Sequence, residues 1–205
     1  MTKTIVDLGS YDHAYATMTN VAANEETVIF LVDLEKEKAE YGDIRERVLS
    51  ELFEQKKNDL EEEQRTKIKE ILNLGDITKN KNIKIVEVNK DIMSYLFETE
   101  NNSVDKFHAS CVFENMYRRG LIPTFIEILE KLKDGGQLEI VADKQNIDDF
   151  KRDIKNANHN CNEFELKLIE EFPVQIPETT FEAVHLLQKE QTSYKIIFKK
   201  QKKVS

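Results

Sequence analysis

Residues 3–18 read KTIVDLGSYDHAYATM. A short apolar run ends in an acid, one glycine follows, and a helix-like stretch comes next. Strand, tight turn and helix in that order open the α/β folds that bind nucleotides, where glycine brings backbone close to a ligand and takes positive φ. Gly9 alone is available for that role, because Tyr11, His13 and Tyr15 stand where a glycine-rich loop has small residues. The stretch reads as a cofactor loop with unusual side chains, as a decayed loop, or as an ordinary strand and turn. The next apolar run decides the fold class. TVIFLVDLE, at 27–35, is continuously apolar and ends in acids, the pattern of a strand buried on both faces in a parallel sheet.

The same alternation continues outward. HAYATMTNVA reads as the helix between the first two strands. KNIKIVEV, VDKFHASCVF and QLEIVAD read as the third, fourth and fifth strands, with DIMSYLFE, PTFIEILEKLK and NIDDFKRDIKNA as the helices after them. Pro123 is expected to start its helix and Gly135-Gly136 to follow its end. FELKLIEEF and SYKIIFKK are the last two strands, joined by 173–192. Alternating strands and helices imply an α/β fold with a doubly wound, mostly parallel sheet of seven strands, one of them antiparallel. A single domain over 1–205 is expected, with a helical insertion at about 41–75. In that insertion Ile44, Val48, Leu52 and Leu49, Phe53 fall at helical spacing, while between Phe53 and Ile68 only Leu60 is apolar. An extended charged helix between strands two and three is therefore expected, with EEEQRTK in water and Gly75 as its cap. It either offers a protein partner a surface along 41–74 or covers one face of the sheet.

The 205 residues are 40% hydrophobic and 34% charged, with a net charge of −9. That suits a folded chain with a charged surface and excludes a uniformly basic one. No run approaches the roughly 18 apolar residues that span a bilayer, and no apolar leader precedes the first strand, so a cytoplasmic protein is expected. Cys111 and Cys161 are far apart, and His13, His108, His159 and His185 show no ligand spacing, so no metal site is expected. The sequence has no P-loop and no G-x-S-x-G elbow. The basic KKQKK at 199–203 reads first as a solubilising end.

Open α/β sheets bind ligands at the carboxyl ends of their strands. The polar residues there are Asp7, Gly9 and Ser10; Asp33 and Glu35; Asn89 and Asp91; Glu114, Asn115 and Tyr117; and Asp143. Acids at the ends of the first three strands fit an adenosyl ligand: one carboxylate for an ammonium, one for two ribose hydroxyls, one for the adenine amine. The plain alternative is that Asp and Asn at strand ends cap the next helices.

From Val104 onward the order of motifs is more specific. SVDKFHASCVF, then RRGLIPTFIEILEKLKDGGQLEIVAD, then TTFEAVHLLQKEQTSYKIIFKK resembles the bacterial tRNA (guanine-7-)-methyltransferases, class I enzymes dependent on S-adenosylmethionine. The closing piece, Thr179-Thr180-Phe181-Glu182 followed by Tyr194 to Lys200, carries most of the likeness. The resemblance implies a Rossmann-like class I methyltransferase fold, an S-adenosylmethionine cofactor and tRNA as a partner. It implies Asp7 and Gly9 at the methionine end, Asp33 or Glu35 on the ribose and Asp91 facing the adenine. Asp143, Thr179 and Glu182 would surround the target guanine, and Arg118 and Arg119 would meet phosphate. The chain departs from that family in two places. Its first loop is DLGSYDH where the family has an acid and three alternating glycines. Phe113-Glu114-Asn115-Met116-Tyr117 stands in place of a Pro-Asp-Pro-Trp segment and its basic run. Two alternatives remain beside it: a diverged, non-catalytic interaction or regulatory module, and a methyltransferase acting on a small molecule or a protein.

Overall fold

A computed structural model describes residues 2–9, 25–33, 47–72, 82–110, 112–116, 118–177, 180–188 and 193–203. Seven strands among them form one sheet: β1 (Lys3–Leu8), β2 (Thr27–Asp33), β3 (Ile83–Asn89), β4 (Val104–Ser110), β5 (Leu132–Asp143), β6 (Phe164–Pro173) and β7 (Ser193–Lys202). The order across the sheet is β3-β2-β1-β4-β5-β7-β6. The pairs β1–β2, β1–β4, β2–β3 and β4–β5 are parallel. β7 runs antiparallel to both β5 and β6. The expected mixed sheet is present, and the reversed member is the last strand, inserted beside β5.

Side-chain alternation along the strands separates two faces. On one face Val6, Leu8, Phe107, Ala109, Leu138, Ile140, Ile196 and Phe198 form the main core. Three helices cover it: α3 (Ile92–Glu98), α4 (Arg118–Lys131) and α5 (Lys144–Asn160). They contribute Leu96, then Leu121, Phe125, Ile128 and Leu129, then Ile147, Phe150 and Ile154. The α5 apolar residues recur at helical spacing, so one stripe of a charged helix faces the sheet. On the opposite face Ile5, Ile29 and Leu31 form a smaller cluster with Ile83 and Ile85.

The region between β2 and β3 departs from one long helix. Residues 47–56, here α1, are helical, a 3-10 turn follows at Lys57–Asp59, and α2 spans Glu62–Leu72. Asn58 and Asp59 favour turn geometry over helix, and Arg65 Nη1 donates to the Lys57 carbonyl at 3.3 Å, holding the break. Folding back brings Leu49 and Phe53 of α1 against Ile68 and Ile71 of α2. Ala183 and Leu187 of α6 (Thr180–Gln188) complete this cluster, and Leu60 in the break packs against it. The apolar stripe expected on a partner-binding arm is thus buried within the chain. Ile44 and Gly75 lie outside the described residues.

Two other expectations shift. Pro123 lies inside α4, which starts at Arg118 rather than at the proline. Its missing N–H leaves the Arg119 carbonyl without the usual i+4 donor, a loss that is mild this close to a helix start. The Gly135-Gly136 pair lies within β5, which begins directly after α4. Gly135 has φ +79°, and around it the β4–β5 register jumps from Val104–Leu132 to Lys106–Gln137. The glycines build an irregularity in a strand rather than cap a helix.

Candidate functional site

The carboxyl ends of β1, β2, β4 and β5 lie side by side at the end of the sheet where α/β folds hold ligands. Gly9 directly follows β1; it has φ +69° and donates its N–H to the Val32 carbonyl at 2.9 Å. A Cβ at this position would stand 2.6 Å from Val112 Cγ2. The only glycine of the turn is therefore needed twice, for its backbone angle and because the segment after β4 packs on its α-carbon. Asp33 ends β2 half-buried, and its carbonyl accepts the Lys90 N–H at 3.1 Å, tying the tip of β2 to the turn after β3. Asp91 caps α3: its Oδ1 accepts the Ser94 N–H at 3.0 Å. The hydrogen bonds to Ser94 hold its carboxyl below the usual range. Glu114 Oε1 accepts the Asp143 N–H at 3.0 Å, which clamps the segment after β4 onto the tip of β5. Asp143 occupies the N-cap position of α5 and pairs in register with Ser193, the first residue of β7. The Ser193 hydroxyl is buried there without a hydrogen-bond partner among the described residues.

Of the residues expected at the site, Gly9, Asp33, Asp91 and Asp143 thus stand at strand ends or in the turns after them. Glu182 is buried in the first turn of α6. Arg118 and Arg119 are the first residues of α4, and their side chains lie outside the described ones. Glu35 and Thr179 also lie outside, as do Tyr11 and His13.

Asp7 has different company. It lies in register with His108 of β4, and His108 with Glu139 of β5, so three ionisable side chains form a row across three adjacent strands. All three are buried, with 4%, 2% and 4% of their surface exposed. His108 Nδ1 lies 3.0 Å from Glu139 Oε1. Lys106 Nζ lies 2.6 Å from Glu139 Oε2, and Lys195 Nζ of β7 lies 3.2 Å from Oε1. Glu139 is therefore the hub of a charge cluster on the same face as Ile5 and Ile29, below the strand tips. Burial opposes a charged His108, but Asp7 and the hydrogen bond to Glu139 raise its pKa above the ordinary value. Burial likewise opposes a charged Glu139, yet His108, Lys195 and Lys106 together hold its carboxyl far below the usual range. The sequence carries a signal for this cluster: a charged residue at alternate positions of strands that otherwise read as buried. Taken alone, His108 reads only as one of four histidines without ligand spacing, and Asp7 only as a cofactor acid.

No protein-family model and no curated protein matches the sequence. Solved structures do match. An antibiotic-related methyltransferase superimposes with a TM-score of 0.54 at 14% identity, covering 96% of this chain and 86% of that one. A methyltransferase solved in complex with a Haloferax volcanii methyltransferase activator gives a TM-score of 0.52 at 14% identity, covering 96% and 82%. A geranyl diphosphate methyltransferase solved with S-adenosylmethionine gives 0.51 at 12% identity, covering 97% and 78%. The fold is that of the class I methyltransferases. The likeness spans nearly the whole chain, including the last pair of strands, as the sequence resemblance implied for the fold.

Among the described residues no helix is long and apolar enough to cross a membrane. No group of three or more His, Cys, Asp and Glu among them is arranged to hold a metal ion.

Proposed function

We propose that this protein is an S-adenosylmethionine-dependent methyltransferase. The observation that supports it most directly is the strand order with a reversed last strand, combined with Asp33 at the tip of β2 and a positive-φ glycine directly after β1. An acid at the second strand tip suits a ribose diol, which offers two hydroxyl donors to one carboxylate. Gly9 and the capped turn at Asp91 flank it on the neighbouring strands, so the donor set suits an adenosyl group. When bound, the cofactor supplies a methyl group already activated as a sulfonium, so the protein's task is to position an acceptor rather than to generate a strong nucleophile. For the acceptor, the sequence resemblance supports guanine in tRNA, with Asp143 and Glu182 as carboxylates able to accept from its ring imino and amino groups. The net charge of −9 and the short segment after β4 weigh toward a smaller acceptor, or a protein one.

A second reading rests on Val112. Its side chain occupies the space beside Gly9, where a glycine-rich loop would leave room for the methionine end of the cofactor. This suits a non-catalytic, methyltransferase-like interaction module. Calorimetric titration of S-adenosylmethionine and S-adenosylhomocysteine separates the two readings. Micromolar binding that the Asp33→Ala, Glu35→Ala double variant abolishes supports the enzyme and justifies a tRNA methylation assay. Silence at millimolar ligand with a folded protein refutes it.

A further inference from the structure

The sheet has two edges, β3 and β6, and they are built differently. Exposed edge strands offer unpaired N–H and C=O groups to other chains, and soluble proteins usually blunt them with charge. β3 follows that rule: its exposed residues are Lys84, Glu87 and Asn89, while its apolar side chains are half-buried. β6 does not. Among the described strands it pairs only with β7, and Leu168, Ile169 and Phe172 are 39%, 42% and 39% exposed. A bulge between Leu168 and Glu170 leaves Ile169 as the extra residue. The strand therefore puts apolar side chains where an edge ordinarily carries polar ones.

The charges on β6 complete the pattern. Glu165 accepts from Gln201 at 2.7 Å, and Glu171 pairs with Lys144 and Lys151 of α5 at 2.7 and 2.5 Å. Lys167 and Glu170, which flank the bulge, are exposed and take part in no side-chain ion pair or hydrogen bond among the described residues. Lys167 faces Lys199 and Glu170 faces Ile197 on β7, so both project from the same side of the sheet.

We propose that two copies of this chain pair edge to edge through antiparallel β6 strands, with a twofold axis between Leu168 and Ile169. The strand is self-complementary about that point, as a twofold interface requires. Leu168 of one copy meets Ile169 of the other. Lys167 meets Glu170, so the two charges satisfy each other twice across the axis. Glu165 then lies opposite Phe172 and Leu166 opposite Glu171. Each pair projects to the same face on both strands, because the bulge restores the alternation on either side of the axis. The sheet becomes continuous through the dimer, and the outer amides of β6 gain partners.

The test uses the whole chain. Sedimentation equilibrium across micromolar to millimolar concentrations should show mass rising from 24.0 kDa toward twice that value. Lys167→Glu places like charges opposite each other at two symmetric positions, and so does Glu170→Lys. Each should raise the dimer dissociation constant about tenfold. Far-ultraviolet circular dichroism should stay unchanged, because neither side chain has a polar partner among the described residues. The double variant Lys167→Glu, Glu170→Lys reverses both charges and should restore wild-type association. A monomer at every concentration overturns the proposal and leaves the edge to a strand from a different protein. A dimer insensitive to either single variant, or one that the double variant fails to rescue, overturns it as well.

Discussion

Replacing Glu139 by Gln tests the charge cluster at its centre. The substitution keeps the shape of the side chain and removes one negative charge, and nothing else at the site changes size. Glu139 faces three cationic groups: His108 at 3.0 Å, Lys195 at 3.2 Å and Lys106 at 2.6 Å. The Glu139, His108 and Lys195 side chains are 5%, 2% and 8% exposed, so water restores little of the lost solvation. Removing one partner of a buried ion pair typically costs about 3–5 kcal/mol, because the other charge stays behind uncompensated. Two features pull the expectation to the lower end. His108 can shed its proton, since burial opposes its charged form, and Asp7 still offers a negative charge beside it. The expected loss is therefore about 3 kcal/mol, a large share of the roughly 5–15 kcal/mol that a domain has. Urea unfolding followed by circular dichroism measures it, with an unchanged slope showing that the same surface is exposed. Adding Lys195→Met to Glu139→Gln removes one stranded cation and should recover part of the loss. A loss below about 1 kcal/mol, or additive effects of the two substitutions, would refute the reading of Glu139 as the hub.

The same cluster makes stability depend on pH. The folded pKa of His108 is raised above its unfolded value of about 6.5, so its contribution is fully present below that pH and is lost as pH rises through the folded value. Unfolding free energy should decline as pH rises above about 6.5 toward the raised folded value, and His108→Gln should flatten that decline; an unchanged profile in the variant would assign it to other groups. Asp7→Asn separates structural from ligand roles for the first acid. As a partner of His108 it should cost about 1–3 kcal/mol, move the His108-linked decline to lower pH, and leave S-adenosylmethionine binding unchanged. Weakened binding with an unaltered pH profile would place Asp7 at the ligand instead.

The architecture is legible because hydrophobic periodicity reports burial on both faces of a parallel sheet. TVIFLVD and KTIVDL are neighbouring central strands, and the helical stripe of NIDDFKRDIKNA is the buried face of α5. Boundaries are less legible where local chemistry competes. Pro123 lies several residues inside α4 because the chain becomes helical at Arg118, ahead of the best-known start signal. The insertion reads as one extended helix because charge hides the turn at Lys57–Asp59, where only the folding back of Leu49 and Phe53 onto Ile68 and Ile71 gives the break a purpose. Of the strand-end acids, Asp91 can be named as a cap or as a ligand group from sequence, and the hydrogen bond to Ser94 shows the cap in place. Alternate charges in the strands signal the buried cluster, but its pairing is out of reach because it is assembled across β1, β4, β5 and β7, which are far apart in sequence.

Local rules are broken in this chain at two kinds of place, and the two carry different information. Charges at inward positions of central strands are costly unless they compensate each other, and here they do, through Glu139. That arrangement draws Asp7 into the row with His108. In the proposed cofactor site the acid of β1 would then serve the sheet, leaving the ribose to Asp33 at the tip of β2, whose carbonyl accepts the Lys90 N–H. The single-glycine turn obeys the same logic. The turn out of β1 needs a positive-φ residue at Gly9, and the segment carrying Val112 packs onto it. The apolar edge of β6 has no such compensation among the described residues. A violation that is balanced internally needs no partner, whereas one left unbalanced at the surface points outward, and on that ground β6 is the place to look for a second molecule.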